Sequence, residues 1–579
     1  MKIINMKKTV AIIGCGPRGL SALEDLLLTY SKRESMYNLQ VIIFERTGCF
    51  GSGQVYNPKQ THHNWLNINE RSLTIPNRED INLRGESIDG FPSFKDWSFY
   101  ESDNKSAIDI FPIRALLGTY LEARFNSIAE KLKAFKILKT YQSIVTSVNY
   151  KNDRFVITDE KDKSYSADEI VLTIGHQPTN RSKQIAKWKT FEANNTRIKL
   201  FDKPYPIKGL FDDGYINGNS HVAIRGFGLA MIDVVRGIAG YTGSRFEIVD
   251  DNTQRVHFHP GEDCPKRIIP FSLDGLPMAP KPLNETIDNW FKPSEVQLNH
   301  LKIELSKATA SPEKVDSIDF IIKVMRSLIA EVFLSLKAKS VSHNYNVSEL
   351  ENLIETYVKH DKTDSDIFIS NDLNPKKIIE NYIHMATGYS EISLDYCIGQ
   401  VWRHCQPTLY KYLSYIGFDN EIILDNIKLD EKLKRLTFGP PVASLQQLLA
   451  LINSGIMSVK AIDDPDIECT DKGWLLEGDN AEFMADVMIN SVLDAPKILE
   501  VKTPLIKQLL ESKYIKPIHE ELGVETYKNS IAKSDIQLPI AILGRLAQGT
   551  LLGVDAILEC FGNRSKVWAN DVVNRLEKK

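Results

Sequence analysis

TVAIIGCGPRGLSALEDLL, residues 9–27, decides how the fold begins. The β-branched run before Gly14 predicts a buried strand, and a helix is predicted to follow from Arg18. Gly14, Gly16 and Gly19 have the G-x-G-x-x-G spacing, which gives a tight turn, a close approach to a pyrophosphate and close helix–strand packing. The pattern therefore predicts a dinucleotide site in which the helix N-terminus faces the phosphates and Pro17 and Arg18 are among the binding residues.

The next strand, LQVIIFER (39–46), supplies the acid that such a site needs. It ends at Glu45 and Arg46, where a carboxylate bonds the ribose hydroxyls of a bound dinucleotide. A glycine-rich turn with a purely structural role is the alternative.

A second strand–glycine–helix unit lies at HVAIRGFGLAMIDVV (221–235). Its candidate binding residues are Arg225, Gly226, Gly228, Leu229 and Ala230. The following strand, RFEIVD (245–250), predicts that Asp250 bonds the ribose of this second nucleotide. Two such turns indicate FAD as the resident cofactor and NADH or NADPH as a visiting hydride donor, with a non-binding repeat as the alternative.

Bulk composition limits the class of protein. The 579 residues suggest two to four domains, and 42% apolar residues, 25% charged residues and a net charge of −4 are ordinary for a globular protein. This balance favours neither nucleic acid nor a membrane as partner, and no apolar run approaches the roughly 18–20 residues of a bilayer span. The seven cysteines lack C-x-x-C and metal-ligand spacing, and the first residues lack a cleavable signal. We expect a cytoplasmic protein without a metal site; its oligomeric state stays open.

Further blocks carry a family resemblance. FGSGQVYNPKQTHHNWLNI (50–68) has a glycine pair and then a Leu-Asn element, and FPIRALLGTYL, VLTIGHQP, FGPPVASLQQLLALINSG and LGRLAQGTLLGVDAILEC follow in order. In these blocks the chain resembles the single-chain bacterial FAD/NAD(P)-binding flavoproteins. The resemblance implies additional FAD-side residues: Gly51, Gly53, Asn67, Ile68, Arg114, Gly175, Gly544, Gly549 and Thr550. Arg114 contacts the flavin or phosphates in this interpretation, and is a solvated helix-terminal arginine in the alternative.

The expected fold class is α/β, with two Rossmann-like domains and a largely helical insert. The FAD domain is predicted to be discontinuous, because the last block resembles the element that returns to cover the flavin. The predicted segments are, in order, the first part of the FAD domain (1–180), the NAD(P) domain (200–282), the helical insert as lid or substrate domain (283–436), a return segment (437–534) and the second part of the FAD domain (535–579).

The choice of nicotinamide depends on Asp250 and on the block FSLDGLP (271–277). Related blocks often carry arginines where Leu273 and Asp274 stand here. Arginine is the natural partner of a 2′-phosphate, so its replacement favours NADH modestly over NADPH.

The resemblance implies flavin chemistry, for which three interpretations stay open. The first is a monooxygenase in which a peroxyflavin, formed with O₂, oxygenates an amine; some members make nitrosuccinate from aspartate in this way. The second is an NAD(P)H-linked oxidoreductase with a non-oxygen acceptor, and the third is a non-catalytic flavin-binding redox sensor. In the monooxygenase interpretation, the partners are O₂ and a small amino acid or amine.

Catalytic side chains are weakly indicated. His62 and His63 lie in the loop expected near the flavin, where they could bond it or be structural. Arg403, in VWRHCQPTLY (401–410), could hold a substrate carboxylate or form an interdomain salt bridge.

Overall fold

The structure is a computed structural model, and it describes residues 6–33, 37–83, 85–100, 104–479 and 481–578. Residues 1 and 579, the outer limits of the predicted FAD domain, lie outside the described residues. No helix in the described ranges is both long and apolar enough to cross a membrane.

Nineteen strands and sixteen α-helices make up the described chain. The strands are β1 Met6–Ile13, β2 Tyr37–Phe44, β3 Ile81–Leu83, β4 Glu86–Ile88, β5 Leu138–Tyr141, β6 Val145–Lys151, β7 Arg154–Asp159, β8 Ser164–Ala167, β9 Glu169–Leu172, β10 Lys199–Phe201, β11 His221–Arg225, β12 Arg245–Asp250, β13 Arg255–His259, β14 Arg267–Phe271, β15 Asp466–Thr470, β16 Gly473–Gly478, β17 Ala481–Ala485, β18 Val487–Asn490 and β19 Ile540–Ile542. The helices are α1 Pro17–Ser31, α2 Phe94–Trp97, α3 Arg114–Ala134, α4 Lys183–Ala193, α5 Leu229–Tyr241, α6 Glu285–Asp288, α7 Glu295–Ala310, α8 Asp319–Ser335, α9 Val347–His360, α10 Pro375–Ala386, α11 Leu394–Leu413, α12 Asn420–Thr437, α13 Val442–Asn453, α14 Pro504–Glu511, α15 Ile557–Cys560 and α16 Asn563–Lys578.

The first parallel sheet has five strands in the order β19-β9-β1-β2-β5, so both ends of the chain contribute to it. Val10 and Ile12 of β1 pack on one face with α1, α3 and α16. Ala11 and Ile13 pack on the other face with β6 and β7. A strand buried on both faces must be apolar throughout, which explains the continuous β-branched run in the sequence.

The second parallel sheet has four strands in the order β10-β18-β11-β14. Val222 and Ile224 of β11 pack against α5, whereas Ala223 packs with Trp188 of α4 and Trp474 of β16 on the other face. This sheet is therefore also the middle layer of three.

Between β14 and β15 the chain is mainly helical. Helices α6 to α13 pack around one large core that also includes α5. Helix α11 contributes the largest number of buried apolar residues to this core, among them Cys397, Val401 and Cys405. The predicted α/β class, with two parallel sheets and a helical region, is confirmed. The predicted domain limits stay predictions.

Candidate functional site

The first glycine turn joins β1 to α1. Gly14 has φ +94°, and a Cβ there would lie 2.6 Å from the carbonyl oxygen of Thr173. Gly16 is the N-cap of α1 and Pro17 is its first residue; no side chain caps the helix. The first-turn N–H groups are therefore free of side-chain competition, as a phosphate site requires.

The second glycine pair closes over this turn. A Cβ on Gly53, which has φ +62°, would lie 2.9 Å from the Cα of Gly16. The backbone N–H of Gly51 donates to the carbonyl of Cys15 at 2.7 Å. Two segments that are distant in sequence thus form one backbone cradle that only glycine permits.

Glu45 is fixed beside the cradle. The carboxylate is buried; Oε2 accepts the N–H of Cys15 at 2.8 Å, and Oε1 accepts the N–H and hydroxyl of Thr47 at 3.0 and 2.8 Å. Arg46 next to it donates to Gln54. This arrangement fits the group that the sequence predicts, because a carboxylate held at the end of β2 can accept ribose hydroxyls.

The other predicted FAD-side residues are distributed around the cradle. Asn67 is half-buried, Ile68 packs against the first core, and Gly175 follows β9 with φ +62°. A Cβ on Gly549 would lie 2.7 Å from Ile518, and the Thr550 hydroxyl donates to the Val524 carbonyl at 3.2 Å. Gly549 and Thr550 are thus engaged in packing of the C-terminal segment itself.

Arg18 ties that C-terminal segment to the first turn. Its guanidinium donates to the carbonyls of Glu559 and Val554 at 3.1 and 3.3 Å. A Cβ on Gly544 would lie 2.7 Å from Arg18 Nε, so glycine is required at this contact. The guanidinium's observed partners are thus protein carbonyls, not open solvent.

Arg114 is not the solvated helix-terminal arginine of the alternative interpretation, and its predicted contact with the flavin or phosphates stays a prediction. Its guanidinium donates to Asp233 of α5 at 2.7 Å and to the Trp65 carbonyl at 3.2 Å, and it lies over the Tyr205 ring. The Arg114 side chain is 19% exposed, and it supplies the counter-charge that the almost fully buried carboxylate of Asp233 requires.

Arg236, one turn beyond Asp233, completes this buried network. Its guanidinium lies 3.9 Å from the centroid of the Trp65 ring and donates to Gln447 at 2.8 Å. Burial lowers the pKa of Arg236 to about 10. We name Arg114, Asp233, Arg236, Tyr205 and Trp65 the interdomain clamp; the sequence interpretation missed it. The available signal was an Asp and an Arg within the otherwise apolar run of α5.

The two histidine candidates have different surroundings. His62 is exposed, whereas His63 is half-buried against α5, where a Cβ on Gly240 would lie 1.8 Å from its Nε2. Burial lowers the pKa of His63, and the charges of His62 and Arg236 lower it further. His63 therefore makes a packing contact with α5 in surroundings that disfavour its protonated form.

Arg403 belongs to a cationic cluster, defined as Arg71, Lys281, Arg403 and His404 around the carboxylates of Asp109 and Asp288. Arg403 pairs with Asp288, which also accepts from Arg71 at 2.8 Å and lies 3.1 Å from His404 Nε2. Arg403 and Asp288 both lie in the predicted helical insert (283–436), so this pair is not the predicted interdomain salt bridge, and it is Arg71 that joins Asp288 to the predicted FAD domain. Both interpretations of Arg403 stay predictions.

The second glycine turn joins β11 to α5. Gly226 has φ +106°, and a Cβ there would lie 2.7 Å from Ser491 Oγ. Gly228 is the N-cap of α5 without a side-chain cap, and Leu229 and Ala230 open the helix. Arg225 donates to Asn490 at 3.0 Å, across to β18. The turn has the same geometry as the first and fits a second phosphate.

Asp250 is not where the sequence places it. Among the strands that the structure describes, β12 pairs only with β13, antiparallel, and neither belongs to the four-stranded sheet. The Asp250 carboxylate accepts from the Thr253 hydroxyl at 2.7 Å and from the Asn252 N–H at 3.0 Å, so it caps the hairpin turn. The hairpin is an insertion, and the parallel neighbour of β11 is the next strand, β14.

Residues 11–177 match the family model described as FAD-NAD(P)-binding. This match covers less than a third of the 579-residue chain. The family resemblance predicted from the sequence is confirmed for the matched residues, which contain the first glycine turn, Glu45 and the glycine pair, and the cofactor classes FAD and NAD(P) are confirmed with it.

Known proteins resemble this chain beyond the matched residues. A nitrosuccinic acid synthase of Aspergillus oryzae is 24% identical over 273 residues, which is 46% of this chain and 40% of that protein. A cyclohexanone monooxygenase mutant from Rhodococcus bound to NADP+ has a TM-score of 0.46 and 12% identity, covering 99% of this chain and 87% of that one. An oxidised steroid monooxygenase bound to NADP has a TM-score of 0.41 and 11% identity, covering 99% and 86%.

Proposed function

We propose that this protein is an FAD-dependent, NAD(P)H-using monooxygenase that oxygenates the amine of a small amino acid or related amine. The observation that carries the proposal is the presence of two equivalent glycine turns, each at the carboxyl end of a central parallel strand, in two separate sheets. One turn suits a resident dinucleotide and the other a hydride donor. The nitrosuccinic acid synthase, whose name specifies a product with an oxidised nitrogen, supports the choice of amine oxygenation.

FAD fits the first site. Gly14, Gly16 and Gly53 leave room for its pyrophosphate, and Glu45 would accept its ribose hydroxyls. When bound, FAD supplies hydride acceptance from the nicotinamide and the activation of O₂. The chain's own task is to hold the donor and the amine in reach and to limit the access of water.

The overall reaction balances without a protein nucleophile. An amine R–NH₂, O₂, NAD(P)H and a proton give R–NHOH, NAD(P)+ and water. One oxygen atom forms the new N–O bond and the other leaves as water; the nicotinamide is oxidised by two electrons. The amine must be deprotonated to act as a nucleophile, so a positively charged environment near it favours the reactive form.

The cationic cluster supports a substrate that carries a carboxylate. The cluster has two arginines, one lysine and one histidine around only two carboxylates. About a fifth of each side chain of Arg71, Arg403 and His404 is exposed. Lys281 donates to the Gly439 carbonyl at 2.7 Å. Burial, followed by the charge of Arg403, lowers the pKa of Lys281 to about 7. A bound carboxylate would stabilise the protonated lysine and offset this excess of positive charge.

The test is oxygen incorporation. FAD-loaded protein is incubated with NADH or NADPH, ¹⁸O₂ and a panel of amino acids with matched amines that lack the carboxylate. We expect one ¹⁸O in an N-hydroxylated or further oxidised amino acid, with the nicotinamide consumed in proportion. Nicotinamide oxidation that yields only peroxide, or reduction of another acceptor with no ¹⁸O in any amine, would instead support the non-oxygen oxidoreductase. If neither NADH nor NADPH reduced the flavin, the result would favour the redox sensor.

Two variants sharpen this experiment. Glu45→Ala should release FAD, as measured by the flavin retained after gel filtration. Arg403→Gln should raise KM for a carboxylate-bearing substrate and leave KM for the matched amine unchanged. Equal effects on both would contradict a role for the cationic cluster in substrate binding. The cytoplasmic location stays a prediction from the sequence.

A further inference from the structure

We propose that Asp274, with Asp463 beside it, makes the second nucleotide site select NADH over NADPH. This inference rests on the proposed function and names the residues that would distinguish the two donors. It replaces Asp250, which the sequence places in this role, by residues that the structure brings to the second glycine turn.

Strand order puts Asp274 at the right edge. β14 is the parallel neighbour of β11, in a register that places Phe271 beside Arg225, so both strands end together. The N–H of Gly226 donates to the Phe271 carbonyl at 2.7 Å, which joins the glycine turn to the chain that leaves β14. In a dinucleotide fold the acid just after this neighbouring strand bonds the ribose 2′-hydroxyl and repels a 2′-phosphate.

The loop after β14 holds the carboxylate in place. Asp274 Oδ1 accepts the Ser272 hydroxyl and the Leu276 N–H, both at 3.2 Å, while the Gly275 N–H donates to Ser272 Oγ at 3.1 Å. The loop then returns to the turn, since a Cβ on Gly228 would lie 3.9 Å from the sulfur of Met278. Asp274 itself is exposed, so one carboxylate oxygen stays accessible to a ligand.

A second carboxylate stands on an adjoining segment. The Ser272 N–H donates to the Ile462 carbonyl and the Asp464 N–H donates to the Ser272 carbonyl, each at 2.8 Å. Burial raises the pKa of Asp463, and the negative charge of Asp274 raises it further. Within the described ranges neither carboxylate forms an ion pair, so the edge is negative. A 2′-phosphate placed there would meet like charge from both carboxylates.

The test is the binding of both dinucleotides to FAD-loaded protein by isothermal titration, using NAD+ and NADP+ so that no turnover is needed. We expect NAD+ to bind at least about tenfold more tightly than NADP+, a difference of the size that one unfavourable charge contact produces. Asp274→Asn should narrow this ratio and Asp274→Arg should reverse it. Asp250→Asn is the matched control, and should leave the ratio unchanged.

Equal or tighter binding of NADP+ by the unmodified protein would overturn the inference while leaving the proposed function intact. So would an unchanged ratio in Asp274→Asn, or a change in Asp250→Asn as large as that expected for Asp274→Asn. Binding of neither dinucleotide would overturn the proposed function and this inference together. Asp274 is exposed and Asp250 lies at a hairpin turn, so the variants should fold, and an unchanged thermal midpoint checks this.

Discussion

The interdomain clamp gives the sharpest stability prediction. The Asp233 side chain is 3% exposed; it accepts from Arg114 at 2.7 Å and from the Tyr205 hydroxyl at 2.6 Å, and Arg236 lies 3.7 Å away. Asp233→Ala would leave Arg114 and Arg236 in the protein interior without this counter-charge. Removing one partner of a buried ion pair costs about 3–5 kcal/mol, because the remaining charge stays desolvated.

The isosteric Asp233→Asn separates charge from shape. The amide oxygen still accepts one hydrogen bond, so we expect a smaller loss of about 1.5–3 kcal/mol in the free energy of unfolding. Arg114→Met and the double variant complete a cycle whose coupling energy isolates the contact. The assay is urea unfolding followed by tryptophan fluorescence, to which Trp65 contributes directly because it stacks on Arg236.

The control is an exposed ion pair. Lys199 pairs with Asp213, whose side chain is 48% exposed, so Asp213→Ala should cost no more than about 1 kcal/mol. The clamp argument would be refuted if Asp233→Ala cost no more than Asp213→Ala, or if the coupling between Arg114 and Asp233 were below about 0.5 kcal/mol.

Two further predictions concern packing and titration. Gly240→Ala should lower the thermal midpoint, because a methyl group pressed against His63 costs about 1–3 kcal/mol, which exceeds the usual gain in helix stability from alanine. Adding His63→Ala to this variant should restore the thermal midpoint. If the two substitutions instead changed the midpoint additively, the contact would be contradicted. Asp430 accepts the Tyr410 hydroxyl at 3.0 Å, and burial raises its pKa to about 6. The folded state therefore keeps this proton between about pH 4 and 6 while the unfolded state releases it, and stability falls as pH rises through that window. The free energy of unfolding of Asp430→Asn, taken relative to that of the unmodified protein, should therefore be about 2–3 kcal/mol higher at pH 7.5 than at pH 4; a difference of the opposite sign would refute the assignment.

Local patterns were sufficient to predict both glycine turns. Each strand–glycine–helix unit occupies about 20 consecutive residues. Its turn needs positive φ angles and close backbone contacts, which few residues other than glycine allow. The predicted strands at 245–250 and 221–225 also exist. What the sequence could not reveal is which strand becomes the neighbour of β11, because an inserted hairpin and an in-register strand look alike until their partners are known. A cue was present in the half-polar character of β12, where Ile248 and Val249 are exposed.

Side-chain partners were harder to predict than backbone turns. Arg114 and Asp233 are separated by 119 positions, and no local pattern connects them. The same holds for Arg403 and Asp288, which only the folding of the helical region brings together. Charged residues within buried helices do reveal that a partner exists, because an unpaired buried charge is too costly, but they do not identify it.

Helix α5 links the two halves of the proposed reaction. It begins at the second glycine turn, and within its next two turns Asp233 and Arg236 bind residues of the first domain. The position of a nucleotide phosphate at its N-terminus is thus set by contacts that are buried. A rotation of the second domain that separated Arg114 from Asp233 while both charges stayed buried would cost about 3 kcal/mol or more, so that rotated state would be populated at roughly one part in a hundred or less. Any movement of the hydride donor toward the flavin site must therefore preserve the clamp, expose its charges to water, or be driven by binding energy of at least that size.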